Sequence, residues 1–498
     1  MQQTISVTIN FKGGIVSPGY LKDVLEAASA AHVTHVSFGL RQQLMMNVAA
    51  EKFAIFESIC NHKNILFQQG RSVSPNIVSS YSAANIFINE SWLSEGVYKD
   101  VFDLFTYQPK LKINICDSKQ SFVPLFTGHF NLLSSNHSHF WYLYLRFPKT
   151  NIIYCWPDLI YTNDIANVSE QIEKIILNDH SFFVIDEYPD GNALYNYSKK
   201  KEITYISKPV EEPVTVPDFY LPYYEGFNKI NNKFWLGIYR RDELFSVDFM
   251  KEICDVCLET KIGQLYTTPW KTIIIKGIEA SQRKLWDYIL GKYRINVRHA
   301  ANELNWQVED NNEDGLILKR QIIRYFDKED VRTYGLSFAI KTKPSSSMFG
   351  SVIITKRQKK NSNRLKSLDR FDILYTRNFN PNTDELILFR ENVEKEHLGT
   401  YLVSLCKFFY EQEACRDNLS ESNAGKASMQ VVNAAKKILY QCSNCFTVYD
   451  EQIGDVPNGI VANTLFADLP ETYCCALCEA SKESFIEIEE ASLILSGV

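Results

Sequence analysis

The chain has no run of about 18 apolar residues, the length that a membrane-spanning helix needs, so no membrane association is expected. Its opening, MQQTISVTINFKGG, lacks the basic start and apolar stretch of a secretory leader, which predicts a cytoplasmic protein. A surplus of positive charge is missing as well: 53 Lys and Arg face 59 Asp and Glu, for a net charge of −6. That balance excludes an overall basic surface for nucleic acid. Nor is the composition that of a disordered chain, since 45% hydrophobic and 13% aromatic residues supply several cores. At 498 residues, three or more domains are expected.

What the chain does have is an uneven distribution of cysteine. Twelve in a chain of this length are not the disulfide framework of a small secreted domain, and five of them crowd into the stretch from Cys442 to Cys478. Charge is uneven in the same place. Residues 440–490 carry ten acids and one base, Lys482, a net of −9, leaving 52 bases and 49 acids, a net of +3, elsewhere. Cys442-Ser-Asn-Cys445 and Cys475-Ala-Leu-Cys478 are two C-x-x-C pairs separated by 29 residues. One such turn lets two thiolates meet one ion, and two facing turns make a tetrahedral sulfur cage suited to zinc or iron. The aromatics Tyr440, Tyr449, Phe466, Tyr473 and Phe485 around them suit a shielded redox centre, and zinc has no redox chemistry to tune.

The stretch resembles the rubredoxin family. Tyr440-x-Cys442-x-x-Cys445, Tyr449-Asp450, Gly454-Asp455, Thr464-x-Phe466-x-Asp468-Leu469-Pro470 and Cys475-x-x-Cys478-x-Ala480-x-Lys482-x-x-Phe485 all fall in its register. The resemblance implies one iron held by Cys442, Cys445, Cys475 and Cys478 and cycling between ferrous and ferric forms; a structural zinc ribbon is the alternative. The chain departs from the family in four places. Phe446 and Glu479 stand where glycine follows the second and fourth cysteines, Tyr473 replaces tryptophan, and Ala476 replaces proline. Cys474 abuts Cys475, and only Cys475 makes a C-x-x-C with Cys478.

The body repeats itself at an offset of 229 residues. Ser17, Lys22-Asp23-Val24, Val36 and Leu44 correspond to Ser246, Lys251-Glu252-Ile253, Leu265 and Ile273. Each copy reads as helix, hairpin, helix: 20–31, 34–38, 44–48 and 51–60, then 247–260, 263–266, 272–275 and 281–290. Further strands are expected at 111–115, 140–146 and 337–340. Leu40-Arg41-Gln42, Gly263-x-x-x-Thr267-Thr268-Pro269-Trp270-Lys271, Asn76-Ile77-Val78 and Asn302-Glu-Leu-Asn-Trp306 resemble elements of the nitrite/sulfite reductase family. The resemblance implies paired ferredoxin-like half-domains and, at Arg41, a contact for a carboxylate or other anion, against the plainer reading of a salt-bridged arginine. Working members hold a siroheme bridged to an iron–sulfur cluster through C-x₅-C and C-x₃-C. Here Ser79-Ser80 follow Val78, Cys116 has no partner at either spacing, and the second half has no cysteine between Cys257 and Cys406. Cluster iron needs about four thiolates, so siroheme and an iron–sulfur cluster are not expected. Cys254 and Cys257 lie in an apolar-periodic helix and read as core. His129, His137 and His139 read as no ligand set.

The expected fold is α+β. A first half-domain (1–70) is followed by an α/β lobe (71–208), a second half-domain (218–297), a second lobe (298–415), a linker (416–436) and a rubredoxin domain (437–490). The expected function is one-electron transfer, with the body as a scaffold that recognises a redox partner protein in nitrite, nitrate or sulfite assimilation. The alternative is a siroheme- or heme-binding reductase-like enzyme fed by its own rubredoxin. The basic run from Lys356 to Lys366 is complementary in charge to the acidic module.

Overall fold

A computed structural model describes residues 3–489 apart from 71–73, 89–90, 149, 151, 180–183, 186–187, 298–300, 344–347, 358–368, 384, 425–437, 445–446, 452, 456–457, 462 and 476–479. Two compact units emerge, one of Met1–Leu386 with Arg390–Lys407, the other of Ile387–Phe389 with Phe408–Val498. The fold is α+β, and among the described residues no helix is long and apolar enough to cross a membrane.

The first unit is a duplication whose register follows the 229-residue offset closely. Strand Thr4–Ile9, helix Pro18–Ala30 and strand Leu44–Ala49 match strand Lys233–Ile238, helix Val247–Glu259 and strand Ile273–Glu279. Helix Pro18–Ala30 starts where Pro occupies the first turn and the Ser17 hydroxyl accepts the Tyr20 N–H at 3.3 Å. Strand Thr4–Ile9, with its partner Lys233–Ile238 and the preceding Gly226–Ile230, was not expected from the sequence. These strands pair within the two sheets and complete the half-domains. The halves also exchange short strands. Ile15–Val16 of the first pairs with Leu265 and Tyr266 of the second, and Phe245–Ser246 of the second pairs with His35 and Val36 of the first. Helices Pro18–Ala30 and Val247–Glu259 share one core with the inner faces of both sheets. Cys254 and Cys257 lie in that core, their thiols pushed up by burial.

The lobes repeat one another too. In the first, Val78–Ser79, Ile113–Cys116 and Phe130–Ser134 are parallel, and Phe140–Arg146 joins them antiparallel. In the second, Trp306–Val308, Phe338–Lys341 and Val352–Lys356 are parallel and Arg370–Thr376 is antiparallel. Parallel neighbours need a crossover, which helices Glu95–Leu104 and Glu313–Lys328 supply. The crossovers differ in one respect: sixteen positions separate Ser79 from Glu95, but only five separate Val308 from Glu313. The extra residues of the first lobe lay Tyr81 in a stack on Tyr98, 4.9 Å between centroids, and edge-on to Tyr266 at 5.4 Å.

In the second unit, strand Ile438–Cys442 is flanked antiparallel by Val448–Tyr449 and Phe485–Glu489. The expected linker begins differently from the sequence reading. Helix Leu398–Ala424 runs through its first nine positions, because after Gly399 in its first turn no proline or glycine interrupts the chain before Gly425. Most of the basic 356–366 run lies outside the described residues.

Candidate metal centre

Cys442 ends its strand, and its N–H donates to the Thr447 carbonyl at 2.8 Å. The Cys475 N–H donates to the Ala480 carbonyl, also at 2.8 Å. Each C-x-x-C loop is thus closed by the same bond from its first cysteine to the residue five positions on. The Ser443 N–H donates to the Ser484 carbonyl at 2.8 Å, tying the first loop to the chain just after the second. Both Cys442 and Cys475 are buried, at 0% and 1% exposure. Cys474 is exposed, bridged in β fashion to Ser481, with its thiol directed at the Thr472 carbonyl at 3.5 Å. Successive side chains of an extended segment point to opposite sides, so one site cannot readily take both Cys474 and Cys475. Cys445 and Cys478 lie outside the described residues, as do Phe446, Ala476 and Glu479.

Five aromatics pack beside these loops. Tyr440 stacks on Phe466 at 4.0 Å, Tyr449 lies edge-on to Tyr473 at 5.8 Å, and Phe485 sits 5.5 Å from Phe466 and 5.9 Å from Tyr473. With Leu469 and Ile460 they form the core of the module. Their polar atoms are satisfied: the Tyr449 hydroxyl donates to the Thr464 carbonyl and the Tyr473 hydroxyl to the Asp455 carboxylate, both at 2.8 Å. Burial holds the Tyr473 phenol above its ordinary pKa, with the Asp455 charge adding to the shift. Lys482 donates to the Leu469 carbonyl at 2.7 Å and lies over the Phe466 ring at 5.5 Å. Two buried thiols on matching loops beside an aromatic core fit a thiolate-held metal.

In the body, Arg41 is held by protein oxygens. Its Nε and Nη2 donate to the Asn76 carbonyl at 3.0 and 2.7 Å, Nη2 to the Ile113 carbonyl at 2.7 Å and Nη1 to Asn114 Oδ1 at 3.2 Å. That leaves one of its five N–H groups for anything else. Lys112, His129 and Arg146 lie at the same end of the first lobe's sheet. The Lys112 N–H donates to His129 Nδ1 at 2.9 Å, and the Arg146 N–H to the His129 carbonyl at 2.8 Å. Burial and the charges of Arg41 and Arg146 push the Lys112 ammonium down to about 8 and, with Lys112, the His129 imidazole down to about 4. Among the described residues the Lys112 ammonium makes no hydrogen bond, and the Asp310 carboxylate acts on it only through its charge. Sequence reasoning passed over Lys112.

A second polar cluster joins the halves. Lys271 Nζ lies 2.7 Å from Glu243 Oε2 and 3.4 Å from Asp310 Oδ1, and Lys319 Nζ is 3.7 Å from Glu243 Oε1. Asp310 also accepts the Leu40 N–H at 3.1 Å and Gln43 Nε2 at 3.1 Å. The 229 offset pairs Glu243 with Gly14 and Lys271 with Gln42. All four have positive φ, at 60°, 76°, 57° and 61° in that order. A Cβ on Gly14 would come within 2.9 Å of the Thr267 carbonyl oxygen, so only glycine fits there. The repeat therefore held the signal for this pair: one backbone shape carrying two different chemistries.

Residues 439–485 match the family model for Rubredoxin. The chain is 44% identical over 50 residues to the Rubredoxin of Megasphaera elsdenii, covering 94% of that protein and 10% of this one. It is 49% identical over 49 residues to the High molecular weight rubredoxin of Moorella thermoacetica, covering 21% of that protein and 10% of this chain. To Rubredoxin-2 of Ectopseudomonas oleovorans it is 34% identical over 71 residues, covering 36% of that protein and 14% of this chain. The chain thus spans well under half the length of these last two relatives. The Mycobacterium tuberculosis NirA protein shares the fold at a TM-score of 0.59 and 14% identity, over 80% of this chain and 79% of that one.

Proposed function

From the premise that the C-terminal part of this chain belongs to the rubredoxin family, an iron-binding and electron-transfer class, we propose that the whole chain is a one-electron carrier. Its iron would be held by Cys442, Cys445, Cys475 and Cys478. The observation that carries the proposal is the matching closure of the two cysteine loops, each with its first thiol buried. Bound there, iron supplies a ferrous/ferric couple. The aromatic core keeps water from Cys442 and Cys475, and the loop closures hold both thiols in place for either oxidation state. With a net charge of −9, residues 440–490 suit brief docking on a basic partner surface. A reductive titration should take up one electron per chain; uptake of none, or of several, contradicts the proposal.

The body serves in this reading as a scaffold that recognises the redox partner, an enzyme of nitrite, nitrate or sulfite assimilation by analogy with the fold it shares. A siroheme–cluster centre does not fit the donor set. Where a cluster cysteine is sought after Val78, the Ser79 hydroxyl donates to the Gly13 carbonyl at 2.6 Å. The Ser80 hydroxyl bonds Tyr98 at 2.8 Å and accepts the Asp117 N–H at 2.7 Å. Tyr81 is buried and stacked. Cys116 is a buried thiol whose pKa burial raises, the opposite of a ready ligand.

A second reading, a body that binds an anion or a tetrapyrrole carboxylate, is favoured by one observation, the ammonium of Lys112 among Arg41, His129 and Arg146. It makes its own prediction. Nitrite or sulfite binding, followed by calorimetry, should weaken as pH rises through about 8, where the Lys112 ammonium loses its proton, and Lys112→Met should abolish it. Binding that is level from pH 6.5 to 9.5, or unchanged in the variant, removes this reading.

A further inference from the structure

We infer that Tyr473, Asp455 and Asn458 form a brace that positions the second cysteine loop, with the tyrosine hydroxyl as its linking atom. The inference rests on the iron-binding reading of the module. The Tyr473 hydroxyl donates to Asp455 Oδ2 at 2.8 Å, and Asn458 Nδ2 donates to the same oxygen at 2.9 Å. Asn458 Nδ2 also faces the Cys474 carbonyl at 3.4 Å. Two residues immediately before Cys475 are therefore gripped by one turn, Tyr473 through its side chain and Cys474 through its backbone.

Asp455, Asn458 and Ile460 are tied to one another through their backbones. Asp455 and Ile460 exchange N–H···O bonds of 3.0 and 2.9 Å, and the Asn458 N–H donates to the Asp455 carbonyl at 3.1 Å. Gly454 has φ +75°, and a Cβ there would lie 2.5 Å from the Val461 carbonyl oxygen. A carboxylate on such a turn is a defined anchor, and a hydroxyl at the far end of the Tyr473 ring reaches it. The tryptophan usual at this position has its N–H beside the ring fusion, not at the end of the long axis. In this chain the atom that reaches the Asp455 carboxylate is the Tyr473 hydroxyl. Groups behind a metal's ligands govern how firmly those ligands are held and what potential the metal adopts.

Tyr473→Phe keeps the ring and its contacts with Tyr449 and Phe485 and removes only the hydroxyl. In the full-length iron-loaded chain, it should speed iron release to a chelator about ten-fold, by the usual effect of such partners, and shift the midpoint potential and the thiolate-to-iron absorption. Asp455→Ala should do at least as much, and the double variant no more than Asp455→Ala alone, because both remove one brace. Asn458→Ala serves in the same cycle if Asp455→Ala does not fold. Wild-type release rate, midpoint and spectrum in Tyr473→Phe, or effects that add in the double variant, overturn the brace. Failure of the unaltered chain to bind iron overturns the module reading itself, a different and separately visible result.

Discussion

Cys475→Ser is expected to strip the iron from the purified chain, whereas Cys474→Ser is expected to leave one iron per chain. The two thiols are neighbours in sequence and opposite in situation. Cys475 is buried, with its N–H closing a loop onto Ala480, and Cys474 is exposed and directed at the Thr472 carbonyl. Cys442→Ser should behave as Cys475→Ser does, because it begins the matching loop. Thiolate coordination of a structural metal is worth about 10–16 kcal/mol in small zinc-binding peptides, so loss of one ligand in four is a large effect. Metal analysis of the three variants, prepared from the same iron-supplied cells, decides the assignment. Iron retained in Cys475→Ser and lost in Cys474→Ser would reverse it.

The second large effect is expected in the body. Glu243→Ala leaves two buried ammonium groups, Lys271 and Lys319, without their shared carboxylate. Breaking a buried pair from one side costs about 3–5 kcal/mol. All seven tryptophans lie between Trp92 and Trp306, so tryptophan fluorescence during urea unfolding reports on the body alone. The variant should lower the midpoint markedly. The double variant Glu243→Gly with Lys271→Gln copies the corresponding residues of the first half, Gly14 and Gln42. It should recover about 1–2 kcal/mol, since glycine relieves a positive φ at Glu243. Equal stability of Glu243→Ala and the unaltered chain would show that the pair contributes nothing.

The duplication was legible because a helix and a hairpin impose strict periods on their sequences, and Pro18–Ala30 and Val247–Glu259 carry the same pattern. The strand Thr4–Ile9 was not, being a short alternating run whose partner Leu44–Ala49 lies about forty residues away, and Lys233–Ile238, although it forms a hairpin with Gly226–Ile230, has no apolar/polar alternation to mark it. The exchange of Ile15–Val16 and Phe245–Ser246 is a property of two halves together and leaves no mark on either alone. At the candidate centre, spacing pointed to Cys442 and Cys475, which begin matching loops, and to the aromatics packed beside them; Cys445 and Cys478, which it also pointed to, lie outside the described residues. It could not show that Cys474 faces out, nor that Tyr473 reaches Asp455 across eighteen residues. Lys112 escaped notice for a related reason: its neighbours Arg41, His129 and Arg146 meet it only once three strands are aligned.

The measurement that bears most directly on the account is the visible spectrum of the purified chain, with metal analysis, before and after dithionite. The account predicts one iron per chain and thiolate-to-iron absorption that bleaches on reduction, with no Soret band. A colourless protein carrying zinc, from cells supplied with iron, would contradict it.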